Sequence, residues 1–130
     1  MQIYVAGKFE DKDLVRGVYR RIEDLGHTVA YDWTTHKPIK PYNKNPEMAR
    51  HYSQNEQDAV ATCDAFIAIL DEKGTTLLLE IGAAIMAAKL NGKPSVFVVG
   101  PLNASSPWFF NSLVRRYDTI DEVFAVLANE

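Results

Sequence analysis

The run Asp64-Ala65-Phe66-Ile67-Ala68-Ile69-Leu70 places six apolar residues in succession after a single acidic one. A continuous apolar run of this length, without alternation, is typical of a strand that is buried on both faces of a parallel sheet. The segment 94–99 has the same character and is followed by Gly100. Two such strands predict a sheet that is covered by helices on both sides.

The segments around these two strands alternate between strand and helix patterns. We therefore predict a single α/β domain over residues 1–130, with three layers and a mostly parallel, five-stranded sheet of the flavodoxin or Rossmann type. In such sheets ligands bind at the carboxyl ends of the strands. The expected strands are 3–6, 27–33, 65–70, 94–99 and 117–120, and the expected helices are 11–25, 47–62, 75–91, 108–115 and 121–128.

Composition and charge argue against a membrane protein and against a protein that binds nucleic acid polymers. The chain has 14 Lys and Arg against 17 Asp and Glu, so it lacks the basic excess of a protein that binds nucleic acid polymers. Its single cysteine, Cys63, has no partner for an intrachain disulfide, which is typical of a reducing compartment. No apolar run reaches the roughly 20 residues that span a bilayer. We expect a cytoplasmic protein that associates with neither membranes nor nucleic acid polymers.

Glu80 is the only charged side chain in the stretch 77–88. A carboxylate among apolar residues needs a partner or takes a raised pKa, and both are typical of nucleophiles and acid–base groups. Ala83, Ala84 and Ala87 share its helix face, which leaves room for a cavity beside it. The alternative is structural, because an acid in the first turn of a helix is stabilised by the helix dipole.

Three other candidates are ambiguous when each is taken alone. Asp58, on the expected helix 47–62, is typical of a solvated helix face, and Tyr4 in the first strand is typical of a sheet face. The turn at Gly7 and Lys8 either lets a phosphate or sugar approach the backbone or is a plain turn. It lacks the Gly-x-Gly-x-x-Gly and P-loop patterns of common nucleotide sites.

The histidines and the basic residues do not form a recognisable motif. His27, His36 and His51 are dispersed and have no partner at metal-ligand spacing, so we expect no metal site. The segment 36–52 carries several lysines and tyrosines. Its composition fits two interpretations, a lid over an anionic or aromatic ligand and a solvated basic loop.

Taken together, four motifs resemble the nucleoside 2-deoxyribosyltransferase family, including its 2'-deoxynucleoside 5'-phosphate N-hydrolase branch. The resemblance extends over most of the chain, to about Asn111. An aspartate that opens the central strand, followed by Glu-x-Gly-x-Ala on the next helix, is its strongest part. The motifs are Ile3-Tyr4-Val5-Ala6-Gly7, Asn55-Glu56-Gln57-Asp58, Cys63-Asp64-Ala65-Phe66-Ile67-Ala68 and Leu79-Glu80-Ile81-Gly82-Ala83-Ala84.

The resemblance implies a role for several residues. Glu80 would be the nucleophile that attacks the anomeric carbon of the sugar, and Asp58 would assist or position the departing base. The Tyr4 hydroxyl would orient Glu80 and the sugar. Asn111 matches a position that reaches the 5' end of the sugar in a neighbouring subunit, so a homo-oligomer is implied. No metal and no organic cofactor would be required.

The chain departs from the family pattern at the end of the site that would hold the sugar 5' group. Six residues before the glutamate, relatives carry serine in the phosphate-binding branch or aspartate in the base-binding branch, where this chain has Gly74, although Thr75 and Thr76 offer hydroxyls. Lys8 follows Gly7 where the phosphate-binding branch has serine. The sequence therefore leaves open whether the substrate is phosphorylated.

The resemblance implies an enzyme that cleaves the N-glycosidic bond of a (deoxy)nucleoside or its 5'-monophosphate, by hydrolysis or by base transfer. A carboxylate can stabilise or trap the oxocarbenium-like state of this reaction. Two alternatives stay open. One is a non-catalytic nucleotide-binding or sensor domain on the same scaffold. The other is an interaction domain, in which the alanine face of the Glu80 helix packs against a second subunit.

Overall fold

The continuous apolar run forms the central strand of the sheet. In the computed structural model, which describes residues 1–72 and 74–129, β3 (Ala65–Ile69) is buried along its whole length. It pairs in parallel with β1 (Gln2–Ala6) on one side and β4 (Ser95–Val99) on the other. Both neighbours are also largely buried, so the central part of the sheet is enclosed by the helices.

The sheet has five parallel strands in the order β2-β1-β3-β4-β5, which confirms the predicted fold class. This is the flavodoxin-like order, in which the chain changes direction across the sheet between β1 and β3. The outer strands are β2 (Thr28–Val29) and β5 (Val114–Tyr117). The helices are α1 (Lys12–Asp24), α2 (Pro46–Thr62), α3 (Thr75–Asn91) and α4 (Ile120–Ala128).

The helices form the two outer layers. On one face α1 and α4 are joined by an ion pair from Arg21 to Asp121 at 2.6 Å, and the Arg21 guanidinium lies 4.2 Å from the centre of the Phe124 ring. On the other face α2 packs against α3. Over residues 1–72 and 74–129, no helix combines the length and apolar character needed to cross a membrane.

The second strand is shorter than the pattern 27–33 predicts. Pairing with β1 stops at Val29, and Trp33–Thr35 forms a 3₁₀ turn instead. The Asp32 carboxylate accepts a hydrogen bond from the Thr34 backbone N–H at 2.9 Å, and this cap starts the turn. The Trp33 indole N–H donates to the carbonyl of Val5 at 2.7 Å and ties the turn to β1.

The predicted helix 108–115 and strand 117–120 are wrong in extent. The helix is only a 3₁₀ turn, Pro107–Phe110, because the Asn111 side chain then accepts a hydrogen bond from the Leu113 N–H at 2.8 Å. The chain after it becomes β5, and Val114 pairs with Val96. The strand ends three residues early because Thr119 caps α4.

Gly100 is held in a conformation that only glycine adopts easily. Its φ is +117°, and a Cβ at this position would lie 2.8 Å from the carbonyl oxygen of Leu70, at the end of the neighbouring strand. We expect Gly100→Ala to lower the free energy of unfolding by about 1–3 kcal/mol, measured by urea denaturation.

Gly17→Ala is the matched control for this prediction. Gly17 lies within α1 and a Cβ there would meet no atom within 4 Å, so alanine should stabilise the helix by about 0.5–1 kcal/mol. Equal effects of the two substitutions would contradict the role given to Gly100.

Candidate active site

A large cleft opens where the fold predicts a ligand site, at the carboxyl ends of β1 and β3. Its volume is about 1280 Å³. One wall comes from the turn after β1 and from the first turns of α3, and the opposite wall comes from α2 and the segment before it. The cleft therefore lies at the point where the strand order reverses, which is the usual ligand position in open parallel sheets.

A contact between Tyr4 and Glu80 lies beneath the cleft, which Glu80 lines and the buried Tyr4 does not. Tyr4 lies on β1 and is fully buried, with its ring stacked on that of the paired residue Phe66 at 5.7 Å and an angle of 2° between the planes. Its hydroxyl donates a hydrogen bond to Oε2 of Glu80 on α3. Burial raises the pKa of Tyr4, so the phenol stays protonated and acts as a donor.

The helix dipole does not explain the presence of an acid at position 80. The helix α3 begins at Thr75, so Glu80 lies in its second turn, beyond the reach of the helix dipole. The expected cavity lies beside the start of the helix rather than beside Ala83 and Ala84, of which the first is exposed and the second is buried. Glu80 is therefore a carboxyl group that the fold places in the cleft.

A second carboxyl group in the cleft comes from Glu56 on α2, and Asp58 does not reach it. Glu56 lines the cleft, whereas Asp58 is exposed and lies outside it. The phase of the helix explains the difference. Glu56 lies four residues before the buried Val60 and shares its face, but Asp58 is only two residues away and points elsewhere. The face of α2 that contains the buried Val60 also contains Glu56, so helical periodicity from Val60 identifies Glu56 in the sequence.

The two carboxyl groups of the cleft both have a raised pKa. Burial is the main cause in both cases, and it raises the pKa of Glu80 to about 8 and that of Glu56 to about 7. The negative charge of Glu56 adds to the rise at Glu80, while the hydrogen bond from Tyr4 opposes it. Because the two groups interact, these values belong to the pair, and the pair holds one proton near neutral pH.

One end of the cleft contains five of the predicted substrate-binding residues, which are Gly7, Lys8, Gly74, Thr75 and Thr76. Gly74 precedes the first residue of α3, and no side chain caps this helix, so its first N–H groups face the cleft region without a side-chain acceptor. The Lys8 ammonium forms an ion pair with Glu72 at 2.5 Å, and this hydrogen bond raises the pKa of Lys8.

The opposite wall of the cleft includes the basic segment 36–52, which the sequence left open between a lid and a solvated loop. Lys37, Lys40 and Arg50 line the cleft together with Tyr42 and Tyr52. Arg50 is paired with Glu47 at 3.1 Å. The segment is thus part of the cleft wall and combines aromatic surface with positive charge.

Asn111 lies away from the cleft within the chain. Its side chain is exposed and engaged locally, because its Nδ2 donates to the Trp108 carbonyl at 2.6 Å and its Oδ1 accepts from the N–H of Leu113. The chain by itself therefore does not bring Asn111 to Glu80. A contribution to the site of a neighbouring subunit stays a prediction.

The metal-binding and thiol side chains of the described residues form no second candidate site. Among residues 1–72 and 74–129, no three His, Cys, Asp or Glu side chains are grouped so that they could hold a metal ion. Cys63 is buried, its thiol donates to the Val60 carbonyl at 3.4 Å, and burial raises its pKa to about 11. The thiol is therefore protonated at neutral pH and is a poor nucleophile.

Glu80 should lower the stability of the fold at high pH. Its pKa rises from 4.5 to about 8 on folding, so the stability it contributes is complete below about pH 4.5 and is lost as the pH rises through about 8. Glu80→Gln keeps an oxygen that accepts from Tyr4 and removes the charge. We expect it to be more stable than the wild type at pH 9 by about 1–3 kcal/mol, measured by urea denaturation.

The same measurement at pH 5 should show little difference between Glu80→Gln and the wild type. The control is Asp58→Asn, in which the changed side chain is exposed, and it should show the same small difference at both pH values. A Glu80→Gln variant that is less stable than the wild type at pH 9 would contradict the burial of this charge.

Comparison with known proteins identifies solved structures with the same fold. No protein-family model matches the chain, and no match is found by sequence among the curated proteins. Among solved structures, the fold is similar to that of a 2-deoxyribosyltransferase from the psychrotolerant bacterium Bacillus psychrosaccharolyticus. The TM-score is 0.69 at 19% identity, covering 100% of this chain and 92% of the other.

A second solved structure with the same architecture is the CMP N-glycosidase BcmB of Clostridium botulinum. The TM-score is 0.63 at 17% identity, and the match covers 100% of both chains. Both similarities extend over the whole described domain. The chain therefore has the three-layer α/β fold that these two proteins share, as the resemblance in its sequence implied.

Proposed function

We propose that this protein cleaves the N-glycosidic bond of a nucleoside or nucleoside 5'-monophosphate, with Glu80 as the nucleophile and Glu56 as the acid that protonates the leaving base. The observation that carries this proposal is the pair of carboxyl groups in one cleft, of which Glu80 accepts a hydrogen bond from the buried Tyr4. The fold that the chain shares with a 2-deoxyribosyltransferase and a CMP N-glycosidase supports the same reaction class.

The first step needs an ionised Glu80 and a protonated Glu56, which is one of the two arrangements of the single proton that the pair holds between its two titration steps. The higher pKa of Glu80 favours the other arrangement at rest, so the proton passes to Glu56 before the attack. The Glu80 carboxylate attacks C1' of the sugar, and the C1'–N bond breaks with its electron pair left on the base nitrogen. Glu56 gives its proton to the base as it leaves. The Tyr4 hydroxyl holds Glu80 in position and favours its ionised form, because a hydrogen bond to a carboxylate stabilises the charge.

The second step releases the sugar from Glu80. Glu56 is now ionised and takes a proton from a water molecule or from a second base, which attacks C1' and breaks the ester bond to Glu80. Water as the acceptor gives hydrolysis, and a base as the acceptor gives transfer. Both carboxyl groups return to their starting protonation states, so no other proton source or sink is needed over the cycle.

The two walls of the cleft fit the two ends of a nucleoside. Tyr42 and Tyr52 provide aromatic surface on the α2 side, which suits a heterocyclic base. The end at Lys8 and the start of α3 suits the sugar 5' group, since it offers backbone N–H groups and threonine hydroxyls. We place the 5' end of the substrate there, in agreement with the role that the sequence resemblance gives to these residues.

Release of free base tests the proposal directly. Wild-type protein incubated with a panel of ribo- and deoxyribonucleosides and their 5'-monophosphates should release base, measured by chromatography. We expect Glu80→Ala to lower the rate at least about 10³-fold and Glu56→Gln about 10²–10⁴-fold, because one loses the nucleophile and the other the acid. Tyr4→Phe should retain part of the activity.

Asp58→Asn separates the two candidate acids on α2. Because the Asp58 side chain is exposed and outside the cleft, this variant should keep its rate within about twofold of the wild type. Binding of a substrate, seen as thermal stabilisation, with no base released from any member of the panel would overturn the proposed catalysis in favour of a nucleotide-binding domain.

We also propose that the protein assembles as a homo-oligomer through α3. Leu79, Met86 and Leu90 are 69%, 40% and 74% exposed and lie along the outer side of this helix. A row of large apolar side chains on one exposed helix face is typical of an interface. The same helix carries Glu80, so a second subunit seated on it would lie close to the cleft.

Light scattering of the purified protein tests this assembly. We expect a mass above the 14.6 kDa of one chain for the wild type and a monomer for the Leu79→Glu/Leu90→Glu variant. Leu14→Glu is the matched control, because Leu14 is 53% exposed on α1, and it should leave the assembly unchanged. A wild-type protein of one-chain mass at micromolar concentration would contradict the proposal.

A further inference from the structure

Glu56 has a second titratable neighbour besides Glu80, the imidazole of His36. The Nδ1 atom of His36 lies 3.6 Å from Oε1 of Glu56. Both side chains are largely withdrawn from solvent, with 10% of His36 and 19% of Glu56 exposed. The two groups therefore interact in a region of low dielectric, where a charge on one strongly affects the proton affinity of the other.

The imidazole is held in place by two aromatic residues. The hydroxyl of Tyr31 lies 2.6 Å from Nε2 of His36, which gives the ring nitrogen remote from Glu56 a hydrogen-bond partner. The Tyr52 ring stacks on the imidazole with 3.6 Å between ring centres and 4° between the planes. Tyr52 is one helical turn before Glu56 on α2, so the same helix face presents both the stacking partner and the carboxyl group.

Burial opposes a charge on either His36 or Glu56 when the cleft is at rest. Burial lowers the pKa of His36 and raises that of Glu56 to about 7. Other groups face the pair from each element that surrounds it. The charge of Asp32 favours a protonated His36 and that of His51 opposes it, while Glu80 on α3 and Tyr4 on β1 interact electrostatically with Glu56.

We propose that His36 is a positioning residue that stabilises the ionised form of Glu56 during the reaction. The inference rests on the proposed function, in which Glu56 loses its proton to the leaving base. His36 then binds a proton from solvent, and the imidazolium faces the new carboxylate at Nδ1 while Tyr31 supports Nε2. When Glu56 takes a proton from the attacking water, His36 returns its own proton to solvent, so the net charge of the two groups stays at zero throughout.

Two substitutions at His36 should move the pH dependence of base release in opposite directions. Activity is lost at high pH when Glu56 ionises in the resting enzyme. His36→Phe keeps a ring for the stack and removes the Nδ1 group that faces the Glu56 carboxylate, so the loss of activity at high pH (the alkaline limb of the pH profile) should move to higher pH. We expect kcat to fall at least about 10-fold. His36→Lys places a permanent cation beside Glu56, so the limb should move to lower pH by about one unit.

A purely structural role for His36 would not produce opposite shifts. It would lower kcat or raise KM in both variants and leave the alkaline limb where it is, and that result would overturn the proposal. His27→Phe is the matched control, because His27 lies at the amino end of β2 against the chain terminus, far from the cleft. Its pH profile should be that of the wild type.

A titration by nuclear magnetic resonance separates failure of this inference from failure of the proposed function. The carboxyl signal of Glu56 is followed in the wild type and in His36→Phe, with no substrate present. Loss of the Nδ1 group that faces the carboxylate should raise the pKa of Glu56, and an unchanged pKa would overturn the coupling. Absence of base release by the wild type would instead overturn the proposed function, whatever the titration shows.

Discussion

The hydrogen bond from Tyr4 to Glu80 joins the sheet to the helix that follows its central strand. The donor is a phenol buried on β1 and held flat against Phe66, so its hydroxyl needs a partner and has little freedom to find another. The acceptor is the single acidic side chain in the apolar part of α3. A buried polar group thus fixes the carboxyl group at the carboxyl ends of the strands, and the rest of the cleft is arranged around that position.

Burial of the two carboxyl groups makes the proposed chemistry possible and also lowers the stability of the fold. The same desolvation that raises the pKa of Glu80 and Glu56 leaves one proton between them near neutral pH, so a nucleophile and an acid coexist in one site. A domain selected only for stability would carry apolar residues at these positions. Groups that lower stability and share a cleft are typical of function rather than of packing.

Local sequence patterns were sufficient to predict an element or a candidate residue wherever one residue type dominates a segment. The apolar runs predicted β3 and β4, and the isolated charge in α3 identified Glu80, because both signals are present within a few neighbouring residues. The sequence singled out Asp58 on α2, whereas the structure places Glu56 in the cleft. The apolar face of α2 is weakly marked, and its orientation follows from contact with α3. At the end of the chain, the side chain of Asn111 ended a helix that the pattern had extended into β5.

By itself the sequence determined the class of fold, the order of the main elements and the identity of Tyr4 and Glu80 as candidate residues. These follow from hydrophobic periodicity and from motifs that are short and continuous along the chain. Only the tertiary structure decided that Glu56 and His36 belong to the same cleft, since they come from separate segments and nothing in the sequence marks their contact. Their proximity and their altered proton affinities arise from packing, which brings distant residues together and removes water from around them.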